Sequence, residues 1–510
     1  MVTKFYQHIL SMIFAVKEIN KNPKILPNLT LGLNIYDTYN RVQMTYHSTL
    51  NLLFKSHHFS LNYECDTNKK LIAVIGALAS ETSFDMAKIL SIYKIPQITY
   101  GSFARAESEM IQLSSFYCMV SSETHQYRGI VSLLKHFGWT WVGLFVVDDD
   151  SGEHFLKALE PLFSESGICS DFTQRIQNQG HFRYFNKVNQ IMHNINQYIN
   201  DRKSRIFVIY GDIFSIISLW FFMDLESAEN KTETLVGKVW VITGHTDFAL
   251  TSLDRDKDLQ LFQGAISFMV HSNEFPGFQD FLQTIKPKWT QADDFLKRFW
   301  EEAFDCSVSD SRVTFKISGT CSGEERLESL TGPFFEMHMT GHSYSIYNAI
   351  YTVAHALHAF YSSRSNPRAI VGGKKGKLQN LHPWQVGQVD PNGPEEKEFE
   401  INDSMITWHR NFNQVSFYSL YTNDKMKISN LCHPKIVFLF MDRSCHFLSA
   451  VTPVSLVTRR ERRKGRNFAA MIVIYVQKER FPIKQMWKTV SNARMASFQA
   501  KDKTDATLKP

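Results

Sequence analysis

Hydrophobic and polar positions follow two periods along the first three-quarters of the chain. Residues 71–75 (LIAVI) form a short, apolar, β-branched run of the kind that makes a parallel strand buried on both faces, and Gly76 ends it. Over 81–93 the apolar residues Phe84, Ala87, Ile89, Leu90 and Ile92 recur at helical spacing, Pro96 stops that pattern, and 95–100 reads as the next strand. Strand, loop, helix and strand make a βαβ unit, whose first loop faces the crevice where such sheets take ligands. Ser80 and Glu81 fall on that loop, where a hydroxyl and free backbone N–H groups can hold a carboxylate or other anion. The same two residues also suit a plain helix cap.

The alternation continues on both sides of this unit. Helical periods cover 5–20, 42–53, 123–137, 153–165, 215–225, 276–285, 294–303 and 344–360. In the first of these, Phe5, Ile9, Met12, Ile13, Val16 and Ile19 fall on one side, which predicts an amphipathic helix. Strand-like runs cover 29–36, 140–147, 205–210, 238–243 and 264–270. Strands alternating with helices predict an α/β fold of parallel sheets covered on both faces, and two such sets predict two lobes with a cleft between them. Residues 370–400 are rich in Gly, Lys, Pro and Glu and read as loop, and from 418 to 510 no period is sustained.

Composition sharpens this only in places. The chain has 510 residues, 44% hydrophobic and 21% charged, long enough for two or three domains with real cores. Its net charge of +6 is uneven, because 459–510 alone carries 14 basic and 4 acidic residues, net +10, and the remainder is at −4. A basic tail on a mildly acidic body is weak ground for nucleic-acid binding, and none is expected. No apolar run reaches the roughly 20 residues that span a bilayer, and no signal peptide is read at the N-terminus. The seven cysteines show no metal-ligand spacing. Asn28, Asn230 and Asn402 begin glycosylation triplets, which suit an exported protein. His355 and His358 lie one helical turn apart, but a metal needs further ligands and helix packing explains them as well. The acidic run Asp148–Asp150 reads as a solvated loop at a strand end. A nucleophile elbow, P-loop, zinc motif and GxGxxG are all missing, so no cofactor is expected and an enzyme is the weaker class.

Several stretches resemble the class C G protein-coupled receptors, and within them the vomeronasal type-2 receptors: MIFAVKEINKNPKILPNLTLGLNIYDTYN, LIAVIGALASETS with IYKIPQITYGSF, HFGWTWVGLFVVDDDSGE, FPGFQDFL, FWEEAFDCS and GPFFEMHMTGHSYSIYNAIYTVAHALHA. The resemblance implies a Venus-flytrap ligand-binding region, two lobes that close on a small molecule or peptide, with 1–120 and 271–385 forming lobe 1 and 121–270 lobe 2. It also implies a receptor at the plasma membrane, facing outward, paired through lobe 1, and reaching a G protein only through a transmembrane domain that this chain lacks. A soluble binding protein or a non-signalling product of such a gene is the alternative, and an α/β enzyme on the same fold a third.

Site residues follow from the resemblance position by position. Ser80 matches the hydroxyl residue that holds a ligand carboxylate. Phe103 stands where a second hydroxyl is usual, with Ser102 beside it, and Glu123 matches the acidic or polar residue before the lobe-2 helix. Ser151 replaces a common aromatic residue, and Gly244 an acidic one, so the groups that grip a free α-amino acid are largely missing. Cys306 and Cys321 match a local disulfide. Cys65 lacks its usual partner, Cys169 matches the cysteine that tethers the cysteine-rich linker, and Cys118 stands at an arginine position. The family's strands after LHPWQ are skipped, so that 386–415 resembles the membrane-proximal end and leaves strand edges open. Across 467–473 a shifted reading frame can encode a cysteine-rich string like the family's linker, which makes 416–510 an irregular, frame-shifted tail on this reading.

Overall fold

The computed structural model describes residues 3–27, 29–38, 42–53, 70–101, 113, 115–120, 123–176, 199, 204–213, 215–219, 223, 238–244, 265–287, 294–308, 319–330, 334–365, 428–431, 436–441, 457–458 and 470–477. The helices are α1 (Lys4–Lys21), α2 (Val42–Leu53), α3 (Ser80–Ile92), α4 (Glu123–His136), α5 (Asp150–Ser166), α6 (Phe278–Gln283), α7 (Asp294–Phe304) and α8 (Gly341–Ser365). The strands before α6 are β1 (Thr30–Asp37), β2 (Lys70–Ile75), β3 (Gln97–Thr99), β4 (Phe116–Cys118), β5 (Trp141–Val147), β6 (Cys169–Ile176), β7 (Ile206–Tyr210), β8 (Val239–Ile242) and β9 (Ile266–Val270). After α8 come β10 (Ile428–Leu431), β11 (Ile436–Met441), β12 (Val457–Thr458) and β13 (Ala470–Gln477).

Two sheets result, and the fold is two-lobed α/β. One has the order β12-β1-β13-β2-β3-β4, the other β10-β11-β9-β8-β7-β5-β6. Within the second sheet β6, β5, β7, β8, β9 and β11 run parallel; the inner strands β5, β7 and β8 are near-continuous apolar runs, whereas the edge strand β6 is largely polar. IFVIY of β7 and VWVI of β8 are buried throughout. Two strands run against their neighbours, β13 between β1 and β2 and β10 at the edge beside β11. β4 and β6 were not expected from the pattern.

The stretch beyond 415 corrects an expectation. It is not without regular structure: β10 to β13 join both sheets, and β13 pairs with β1 over Thr30–Asp37 and with β2 from Lys70 to Ile75. AMIVIYVQ is a β-branched run long enough to fill a sheet position, and by pairing on both sides it covers the edges expected to be open.

α1 also departs from its pattern. Besides the apolar stripe, Lys4, Gln7, His8 and Ser11 are buried. The segment 334–340 and α8 cover the polar side. Lys4 pairs with Glu336. The Gln7 amide donates to the Glu336 and His338 carbonyls and accepts from Thr340 N–H and Ser343 Oγ, so all of its capacity is used. Tyr347 Oη donates to Glu18 at 2.8 Å, a second polar link between α1 and α8.

Cys306 and Cys321 form the expected disulfide, across a sequence separation of 15, which contributes about 3 kcal/mol by restricting the unfolded chain. Glu325 braces the same corner. It accepts from Trp300 Nε1 and Gly323 N–H at 2.8 Å each, and from Ser322 N–H at 2.6 Å. Burial opposes its ionisation, but these hydrogen bonds outweigh burial and hold its carboxyl down at about 2. A carboxyl lowered on folding adds stability above its ordinary range and loses it as pH falls toward 2. Glu325→Gln is therefore expected to cost about 1–2 kcal/mol at neutral pH, allowing for its partial exposure, and to flatten the loss of stability between pH 4.5 and 2 in denaturant melts.

Candidate functional site

The walls of the crevice are built where parallel strands end. On the first sheet β2 stops at Ile75 and the chain turns through residues 76–79 into α3. Three buried side chains fix that turn. The Gln97 amide donates to the Gly76 and Ser83 carbonyls at 2.9 Å. Ser83 Oγ accepts from Ala77 N–H at 3.0 Å, and Thr99 Oγ1 donates to the Ala77 carbonyl at 2.8 Å. Across the turn, Gly101 lies so close that a Cβ on it would sit 1.8 Å from the Leu78 carbonyl oxygen. Ser80 is the first residue of α3 and half-buried. It is not the cap: that position is Ala79, which makes no side-chain capping bond, so the hydroxyl of Ser80 is not consumed there.

On the second sheet, Asp149 caps α5 by accepting from Gly152 N–H at 2.9 Å, which gives one member of the acidic run a structural duty. Gly152 approaches the end of β5 closely, since a Cβ would meet the Val147 oxygen at 2.0 Å. Glu81 from α3 and Asp149, Asp150, Ser151 and His154 from the start of α5 line one small depression. The start of α3, next to Ser80, and the start of α5, with Ser151, thus meet at this depression.

Glu123, the first residue of α4, is 5% exposed. Its Oε2 accepts from Tyr127 Oη at 2.6 Å and from Tyr210 Oη at 2.9 Å. Tyr210 ends β7 and stacks on Phe155 with ring centroids 4.1 Å apart. Burial first, and then the charge on Glu123, push both tyrosine hydroxyls well above their ordinary range, so they remain donors to the carboxylate at any physiological pH. Gly244 follows β8, and its N–H donates to Gln126 Oε1 at 2.8 Å, one turn of α4 beyond Glu123. Ser102, Phe103, Asn28, Asn230, Asn402 and Cys65 lie outside the described residues. Tyr127, Tyr210, Gln126 and Thr243 were not foreseen. A Glu–Tyr pair at i,i+4 on α4 was the one local signal.

The remaining sequence candidates resolve by geometry. His358 Nδ1 accepts from Leu26 N–H at 3.2 Å, a packing role that ties α8 to the α1–β1 turn. Burial and the neighbouring His358 hold His355 below its ordinary value. Among the described residues no group of three or more His, Cys, Asp or Glu is placed to hold a metal. Burial pushes the Cys118 thiol up to about 12, whereas Cys169 is exposed at the start of an edge strand. Iodoacetamide at pH 7.5 is expected to alkylate Cys169 at least ten times faster than Cys118, read site by site by peptide mass spectrometry, because only the thiolate reacts and access governs the rest.

Comparison with known proteins agrees with this architecture. Residues 9–389 match the family model described as receptor family ligand binding region. The human "Extracellular calcium-sensing receptor" is 27% identical over 466 residues, covering 82% of this chain and 42% of that protein. "Vomeronasal type-2 receptor 26" of Mus musculus is 31% identical over 392 residues, covering 75% and 43%. The "Metabotropic glutamate receptor" of Drosophila melanogaster is 22% identical over 391 residues, covering 71% and 38%. The chain thus spans less than half the length of these relatives.

Proposed function

The chain belongs to the receptor-family ligand-binding regions, of the class C G protein-coupled receptor kind and not an enzyme family, and on that footing we propose that it binds a small molecule or peptide between its two lobes as part of a chemosensory receptor. One observation carries the reading. The depression lined by Glu81 from α3 and by Asp149, Asp150, Ser151 and His154 from α5 draws on both sheets at once, at their strand ends. A ligand touching both walls favours the closed arrangement, and closure is the signal.

The ligand is not a free α-amino acid. Its carboxylate could rest on Ser80 and the start of α3, but the positions that resemble the family's amine-gripping ones are altered. Glu123 is already engaged by two tyrosine hydroxyls, Gly244 has no side chain, and Ser151 offers no aromatic face. Pairing through lobe 1 is supported by apolar side chains left in solvent on the adjoining helices α2 and α3, Ile92 at 76% exposure, with Tyr93 and Val42. Contact with a G protein would pass through a transmembrane part beyond the described residues, among which no helix is long and apolar enough to cross a membrane.

Thermal melts of the full chain test the ligand class. A pool of short peptides is expected to raise Tm by several degrees at millimolar concentration. The twenty free amino acids are expected to leave it unchanged, and a rise with a free amino acid alone would reverse the assignment.

A further inference from the structure

Among the described residues, two polar atoms at the carboxyl ends of the second sheet's strands have no hydrogen-bond partner. Gln126 Nε2 and Thr243 Oγ1 are both buried and make no hydrogen bond, and their residues are 3% and 1% exposed. A buried amide N–H or hydroxyl without a partner is costly and calls for an explanation, of which a bound ligand group is one. They are neighbours. Thr243 precedes Gly244, whose N–H holds the other end of the same Gln126 amide at 2.8 Å. That bond also fixes which way the amide faces, because turning it over would set N–H against N–H. Gly244 makes the approach possible: a Cβ there would lie 3.2 Å from Gln126 Oε1 and 2.8 Å from the Phe268 carbonyl oxygen.

Resting on the ligand-binding role above, we propose that the carboxyl ends of β7 and β8 receive a hydrogen-bond-accepting oxygen of the ligand, carboxylate or carbonyl, on Gln126 Nε2 and Thr243 Oγ1. The free amide nitrogen can only donate. It cannot receive an ammonium, and the nearby carboxylate of Glu123 already takes two hydroxyl donors. The amide nitrogen therefore favours an oxygen over an amine at this position, and the Thr243 hydroxyl can donate to the same oxygen. A ligand suited to it presents oxygen to the strand ends of β7 and β8, as a peptide does with its carbonyls or its C-terminus.

Methyl NMR of the full chain, labelled at threonine methyls, tests this with three small probes. Acetate stands for a carboxylate, acetamide for a carbonyl, and ethylammonium for an amine. The Thr243 signal is expected to shift saturably with acetate or acetamide and not with ethylammonium, and the stronger of the first two identifies the source of the oxygen. Gln126→Leu is expected to weaken that binding at least tenfold. Gln126→Glu keeps the shape and the bond to Gly244 N–H but removes the donor, so it should abolish acetate binding and admit ethylammonium. Saturation by ethylammonium in the unmodified chain, or no saturable shift with either oxygen probe, overturns the proposal. A chain stabilised by the peptide pool yet silent to both oxygen probes loses this assignment and keeps the ligand-binding role. A chain that the pool does not stabilise loses that role instead.

Discussion

Gly101→Ala is expected to destabilise the chain by about 3 kcal/mol or more, at the upper end of what overpacking does, because the clash is with backbone. The new methyl would lie 1.8 Å from the Leu78 oxygen and 2.5 Å from its carbonyl carbon, and no side-chain rotation relieves that. Either β3 or the turn at 76–79 must move. The turn is held by Gln97, Ser83 and Thr99 and carries Ser80, so the substitution should also impair ligand binding at temperatures where the protein stays folded. Gly167→Ala is the control. Its backbone is left-handed (φ +67°), but nothing lies within 4 Å of the added carbon, so it should cost only about 1 kcal/mol and leave binding intact. Urea denaturation of the two variants checks the contrast, and equal losses would contradict it.

Glu123→Ala should cost about 3–5 kcal/mol, since it strands two buried tyrosine hydroxyls and opens a cavity. Tyr210→Phe alone should cost about 1–2 kcal/mol, because Tyr127 still donates to the carboxylate. Combining the two should cost less than their sum, since both remove the same bond. A carboxylate kept free for ligand would behave differently: Glu123→Ala would then be close to neutral in stability and severe only in binding.

Much of this arrangement is local and therefore legible in sequence. The apolar run of β2, the helical spacing of α3 and the breaks at Gly76 and Pro96 announce the first wall unaided. The second wall is not local. Tyr210 meets Glu123 across 87 residues, and Gly244 meets Gln126 across 118, so neither pairing leaves a periodic trace. The same reason explains α1. Its polar face reads as solvent-facing, but Glu336, Thr340 and Ser343 arrive from more than 320 residues away to bury it. Resemblance placed Ser80, Glu123, Ser151 and Gly244 at strand ends, yet could not show that Ser80 escapes the cap position or that Glu123 is already occupied. The last strands were missed because AMIVIYVQ is a brief run in a polar, basic stretch, and period alone does not separate a short strand from chance.

Hydrogen exchange of the full chain with and without the peptide pool tests the central claim most directly. Closure on a ligand should slow exchange together at the first wall, amides 78–83, and at the second, amides 150–153 and 243–244. Protection confined to one wall, or spread evenly over both sheets, would contradict a ligand held between the lobes.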